Sequence, residues 1–122
     1  MGCYLEPLAR KYLWQVGLDF GHGVGHGVSH CGPVHEHPHY AYTRNQSLQV
    51  PLTEGMIITN EPGFYKANEF GIRIENILTV KGSLNEKFLE FQNLTMVPYC
   101  AQLIQKSLLD RRHKEIISDY YQ

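Results

Sequence analysis

Aspartate is scarce in this 122-residue chain: Asp19, Asp110 and Asp119 are scattered, against seven histidines. Cysteine is equally thin. Cys3, Cys31 and Cys100 are odd in number and in no C-x-x-C spacing, which excludes a disulfide framework and fits a reducing, cytoplasmic setting. No apolar run approaches the roughly 20 residues of a membrane helix, and no charged start leads into an apolar signal stretch. Met1-Gly2-Cys3 hints at acylation, but Glu6 stands where the myristoylation pattern wants Ser or Thr. A formal net charge of −1 gives no field for phosphate, so nucleic acid and anionic membrane are excluded as first partners. What remains, at 43% apolar and 19% charged residues, is a soluble chain long enough to bury roughly two-thirds of its surface.

Leu5, Leu8, Ala9, Tyr12, Leu13 and Val16 follow helical spacing, with Pro7 in the first turn and Gly17 placed to end the helix. Glycines recur from Gly17 to Gly32 and exclude helix up to Glu36, predicting extended chain that something approaches closely. Residues 37–50 read as a polar loop. Met56 to Thr59 reads as a short strand entering the Glu61-Pro62-Gly63 turn. Alternation from Ile72 to Val80 predicts one strand with Arg73 and Glu75 on the same face, and Phe88 to Val97 a further strand stopped by Pro98. Ser107 to Asp110 has the shape of a capping box, after which Leu109, His113, Ile116, Ile117 and Tyr120 line one face of a last helix. Without repeats or linkers, the order helix, strands, helix predicts an α+β fold with a mainly antiparallel sheet.

The histidines cluster: five lie between His22 and His37. His22 and His26, four apart in extended chain, project to one face. Imidazoles there are either metal ligands and acid–base groups or simply exposed polar residues. Glu75, set among Ile72, Ile74 and Ile77, reads as a carboxylate that needs a cation if buried. That cation is either Arg73, two residues away, or a metal shared with other ligands such as Glu61. His35-Glu36-His37-Pro38-His39 matches H-E-x-x-H, yet that motif works only on a helix, and Pro38 within it excludes one.

Four stretches together resemble a known family: Gly17-Leu18-Asp19-Phe20-Gly21-His22-Gly23-Val24-Gly25-His26-Gly27-Val28; Val34-His35-Glu36; Pro51 through Glu61-Pro62-Gly63-Phe64-Tyr65; and Phe70-Gly71-Ile72-Arg73-Ile74-Glu75-Asn76. In this order and spacing they resemble the pita-bread metallopeptidases, and among them the Xaa-Pro aminopeptidases, from about Leu5 to Pro98 and more weakly over 99–122. The resemblance implies the C-terminal half of a pita-bread domain, a curved antiparallel sheet with flanking helices. It implies two divalent ions, manganese or zinc, with His26, Glu61 and Glu75 as metal ligands. Glu61 would also take the proton of the attacking water. His22 and His35 would contact the peptide and the developing oxyanion, Tyr65 would line the substrate pocket, and Arg73 would support the ligands from outside. The implied substrate is a peptide with proline second, cleaved before that proline, and homodimers are known in the family.

The family's remaining ligands are two aspartates in a D-x10-D pair upstream, and nothing in this chain matches them. Residues 1–122 are therefore expected to form a partial catalytic domain lacking its N-terminal half, holding at most one ion and inactive alone. The competing expectation is a non-catalytic module that binds a peptide or pairs with a full-length subunit. Either way, exposed apolar surface and open strand edges are expected.

Overall fold

The structure, a computed structural model, describes residues 2–37 and 50–121. The predicted loop, apart from its ends, lies outside the described residues, as do Pro38 and His39.

Helix α1 (Glu6–Trp14) follows a 3-10 turn at Gly2–Leu5, with Pro7 in its first turn. It is slightly shorter than the periodicity predicts, and Gly17 closes its end at φ +73°, a left-handed conformation that costs other residues energy. Ala9 and Leu13 rest against a core of Phe20, Val24, Ile58 and Val80. The rest of the apolar surface of this segment points away from the core: Tyr4, Leu8, Tyr12 and Val16 are each more than 60% exposed. That is the exposed apolar surface the sequence led us to expect.

Strands β1 (Ile57–Asn60), β4 (Asn76–Gly82) and β5 (Leu89–Asn93) form an antiparallel sheet in the order β1-β4-β5. Strands β2 (Gly63–Lys66) and β3 (Phe70–Arg73) form a separate antiparallel pair. The single strand expected from Ile72 to Val80 is therefore divided, and Glu61-Pro62-Gly63, expected to form a turn, instead leads directly into β2. The reason lies across the hairpin. Asn60 pairs with Asn76, and Gly63 with Arg73, in one unbroken register. Glu61 thus stands opposite Glu75, and Pro62 opposite Ile74. Pro62 has no N–H to give the ladder, so one bond, from Ile74 N to Pro62 O at 3.1 Å, spans the gap. The strand expected from Phe88 to Val97 is shorter at both ends.

The glycine-rich stretch runs beside β1 without becoming a regular strand. Thr59 N donates to His26 O at 2.8 Å and Glu61 N to Val24 O at 2.7 Å. Gly27 bridges both Ile58 and Glu36. A Cβ at Gly27 would meet the carbonyl oxygens of Glu36 and His37 at 2.7 Å, so only glycine lets the two segments close on each other here.

Helix α2 (Arg111–Asp119) starts three residues later than the Ser107 box suggests. Ser107 lies in a 3-10 turn at Lys106–Leu108, and Asp110 is the cap: its carboxylate accepts from His113 N at 2.8 Å while His113 Nδ1 faces Asp110 N at 3.4 Å. Of the face expected to be apolar, Tyr120 is buried, while Ile116 and His113 are exposed. Burial, and then the hydrogen bond with Tyr99, push the Tyr120 phenol above its ordinary range. A raised folded-state value means the neutral phenol stabilises the fold fully below pH about 10 and that this contribution is lost as pH climbs through the raised value. Urea titrations should therefore show unfolding free energy falling above pH about 10, with the slope reduced in Tyr120→Phe.

Candidate metal centre

Glu61 and Glu75 are the first residues beyond the Asn60–Asn76 pair, so the hairpin break presents two carboxylates face to face. Like charges directly opposed in an antiparallel pair destabilise it. His26 enters the same space from the neighbouring segment. Its N–H donates to Thr59 Oγ1 at 3.0 Å, and Thr59 Oγ1–H donates to Glu61 Oε1 at 3.0 Å. One buried threonine hydroxyl, on the same strand face as Glu61, therefore ties imidazole segment and carboxylate together. Thr59 was not picked out in the sequence, although its i, i+2 relation to Glu61 on a strand was a usable signal.

The His26 ring fixes the chemistry of the contact. Nδ1 lies 2.8 Å from Gly27 O, and a carbonyl only accepts, so Nδ1 carries the proton. Nε2 faces Glu61 Oε1, 3.2 Å away. Two acceptors at that distance repel unless a cation or a proton lies between them. His26, Glu61 and Glu75 each offer a donor atom within 4.8 Å of the others, the one such trio among the described residues. One imidazole and two carboxylates suit a borderline or hard divalent ion, so the donor set fits a metal.

Glu75 is exposed, which corrects the expectation of a buried carboxylate: Ile72 and Ile74, its apolar neighbours, are themselves 43% and 49% exposed. Nor does Arg73 take Glu75 as its direct partner. Its Nη1 lies 3.6 Å from Glu61 Oε2, and its Nε donates to Tyr65 Oη at 2.9 Å. That bond to Tyr65, followed by the charges of Glu61 and Glu75, raises the Arg73 pKa further.

An open cleft of about 400 Å³ is lined by His22, Gly23, Gly25, His26, His35, Glu61 and Arg73. Glu75 borders the neighbouring groove, with Arg73 common to both. His22 Nδ1 donates to Gly23 O at 2.8 Å, which leaves Nε2 to accept from the Tyr65 hydroxyl at 2.7 Å. The His35 ring lies 4.4 Å from that of His26. The structure thus brings His22, His26, His35, Glu61 and Arg73 to one cleft, with Tyr65 and Glu75 at its edges. His35 to His37 are not helical, so the H-E-x-x-H match lacks the helix it needs.

Arg10 escaped sequence reasoning because a Glu6, Arg10 pair on a helix reads as a solvated face. It is buried, 7% exposed. It donates to Glu6, to Asp19 Oδ1, and to the carbonyls of Phe20 and His22, and its guanidinium lies 3.9 Å from the centre of the Phe20 ring. Asp19 is thus engaged by Arg10, away from the carboxylate pair.

An imidazole and two opposed carboxylates beside a histidine-lined cleft define a candidate metal-ligand set on an α+β scaffold. Residues 2–82 match the model of metallopeptidase family M24, and residues 87–122 that of the C-terminal region of peptidase M24; the chain belongs to family M24. It is 48% identical over 126 residues to a probable Xaa-Pro aminopeptidase P of Sclerotinia sclerotiorum, covering 98% of this chain and 21% of that protein. It superposes on the X-prolyl aminopeptidase of Caenorhabditis elegans, a cytosolic enzyme with a di-nuclear active site, with a TM-score of 0.87 and 38% identity over 98% of this chain and 20% of that one. With the X-Pro aminopeptidase of Thermotoga maritima the TM-score is 0.57 at 37% identity, over 74% and 23%. The chain spans about a fifth of the length of these relatives. Its fold is the expected one, mixed helix and antiparallel sheet of the pita-bread Xaa-Pro peptidases. Among the described residues no helix is long and apolar enough to cross a membrane.

Proposed function

We propose that this chain supplies the His26, Glu61 and Glu75 side of the metal centre of an Xaa-Pro aminopeptidase, which hydrolyses the bond between a peptide's first residue and a following proline. The observation that carries the reading is the opposition of Glu61 and Glu75 across the hairpin break, with His26 Nε2 3.2 Å from Glu61 Oε1. A divalent ion held there, manganese or zinc, would acidify a water and polarise the scissile carbonyl. Glu61, whose Oε1 accepts from Thr59, would take the water's proton. Glu75 would be a further carboxylate ligand. His22 and His35 offer nitrogen atoms to the peptide and its developing oxyanion from the cleft wall. Tyr65 lines the substrate side, holding His22 through its hydroxyl and held in turn by Arg73.

In this reading two aspartates complete the centre, and the 122 residues hold at most one ion and do not turn over substrate. Residence in the cytoplasm belongs to the same reading, supported by the odd number and scattered spacing of Cys3, Cys31 and Cys100. A non-catalytic role as a subunit-pairing or homodimeric module is favoured by one specific feature, the outward apolar residues Tyr4, Leu8, Tyr12 and Val16. The test is calorimetric titration with manganese alongside an assay on an X-Pro peptide. Binding of one ion without release of the first residue is expected. Turnover would overturn the claim of incompleteness, and no binding would overturn the ligand assignment and favour the pairing module.

A further inference from the structure

We propose that Tyr120, at the end of α2, positions the Glu75 carboxylate by holding Asn76. The inference rests on Glu75 being a metal ligand and gives the C-terminal segment a part in building the site.

Three side chains close a ring of hydrogen bonds in which each hydroxyl donates once. Tyr120 O–H donates to Asn76 Oδ1 at 2.7 Å, Asn76 Nδ2 to Tyr99 Oη at 3.3 Å, and Tyr99 O–H to Tyr120 Oη at 3.1 Å. Both ends of the Asn76 amide are thereby held. Asn93 Nδ2 donates to Tyr120 Oη and to Thr95 O, each at 2.6 Å, and leaves its own buried Oδ1 without a partner. The Asn93 amide is therefore oriented by its two donations. A lost acceptor bond is tolerated to keep the Tyr120 oxygen in place. Tyr120 is 8% exposed, and burial keeps its phenol neutral and able to donate.

The ring matters because of where Asn76 stands. It forms the last pair of the β1–β4 ladder, and the next residue back, Glu75, is exposed. Among the described residues the Glu75 carboxylate accepts no hydrogen bond, so the direction of its side chain is set by backbone that only Asn76 and the Ile74–Pro62 bond restrain. A contact 44 residues away in sequence thus reaches within one residue of the carboxylate. Residues beside a ligand set alter metal affinity by roughly tenfold to a hundredfold when they are lost.

The test compares the chain with Tyr120→Phe, which keeps the ring packing and removes the donor, by isotope-edited NMR with and without manganese. The expected result is a shift of the Glu75 resonances in the metal-free variant and roughly tenfold weaker manganese binding. With diamagnetic zinc in place of manganese, the His26 imidazole signals should still shift on binding while those of Glu75 move less than in the unsubstituted chain, a selectivity that loosening of α2 alone would not produce. Unchanged Glu75 resonances in a folded variant overturn the proposal. If Tyr120→Phe does not fold, Asn76→Ala removes the acceptor of the Tyr120 O–H from the other end of the same bond and should weaken manganese binding roughly tenfold; unchanged binding overturns the proposal. If manganese binds nowhere in the unsubstituted chain, the ligand assignment fails. The metal-free Glu75 resonances still decide, in the same two ways, whether Tyr120 positions that carboxylate.

Discussion

Replacing Glu61 by glutamine is expected to weaken manganese binding at least ~100-fold, since loss of a ligand exceeds the loss of a neighbouring support, while leaving the metal-free chain as stable as before or up to about 1 kcal/mol more so. The opposite signs follow from what Glu61 faces. Its Oε1 looks at Nε2 of His26 at 3.2 Å, and its strand position looks at Glu75. A glutamine amide removes the like-charge opposition, and its NH2 in the Oε1 position can donate one N–H to His26 Nε2 and the other to Thr59 Oγ1, whose hydroxyl turns its own proton away. Arg73 Nη1, 3.6 Å from Oε2 and with Arg73 45% exposed, then faces the amide oxygen and loses only its partner's charge, which is worth little in a screened setting. Chemical denaturation of the metal-free variant beside a calorimetric titration checks both signs. If a proton rather than a metal normally bridges His26 and Glu61, the substitution breaks a buried ion pair, and stability falls instead.

The same pair shows how far the sequence reaches. Helix α1 and its Gly17 stop are legible because period and cap are local. So are β1 and the histidine-bearing chain beside it. The division of the strand from Ile72 to Val80 is not, because its own alternation runs through the break undisturbed. What interrupts it is Pro62 on the opposing strand, a non-local cause visible only once the hairpin register is known. The burial expected of Glu75 failed for a related reason: apolar neighbours imply burial only if they are themselves covered, and here they are open. The cap of α2 was misplaced because His113 takes the part that templates reserve for Glu or Gln. The cleft residues His22, His26, His35 and Glu61 stand out one by one in the sequence, while Thr59, Arg10 and Asn76, which adjoin them, do not.

Substituting Arg10 by methionine should destabilise the chain by about 3 kcal/mol, a large part of the roughly 5–15 kcal/mol that holds a domain folded. The side chain uses all five N–H groups, three of them on the carboxylates of Glu6 and Asp19 and two on the carbonyls of Phe20 and His22. Glu6 and Asp19 are 24% and 54% exposed and can turn to water, so their loss is the smaller part. The two carbonyls cannot turn away, and an acceptor left unpaired costs about 1–3 kcal/mol. Lysine at position 10 keeps the charge but has three donors on one atom, so Arg10→Lys should recover only part of the loss. The acid limb tests the same network. Hydrogen bonds from Trp14, from Arg10 and from the Phe20 N–H hold the Asp19 carboxyl below its ordinary value. Its contribution is present above pH about 4 and is lost as pH falls through the lowered value. Methionine at position 10 should flatten that acid slope in urea titrations, and a loss of less than about 1 kcal/mol at neutral pH would mean that water replaces the guanidinium at both carbonyls. Because the second carbonyl belongs to His22, whose ring reaches Tyr65 at 2.7 Å, the variant should also release His22 from the cleft wall while leaving His26, anchored on β1 through Thr59, where it is.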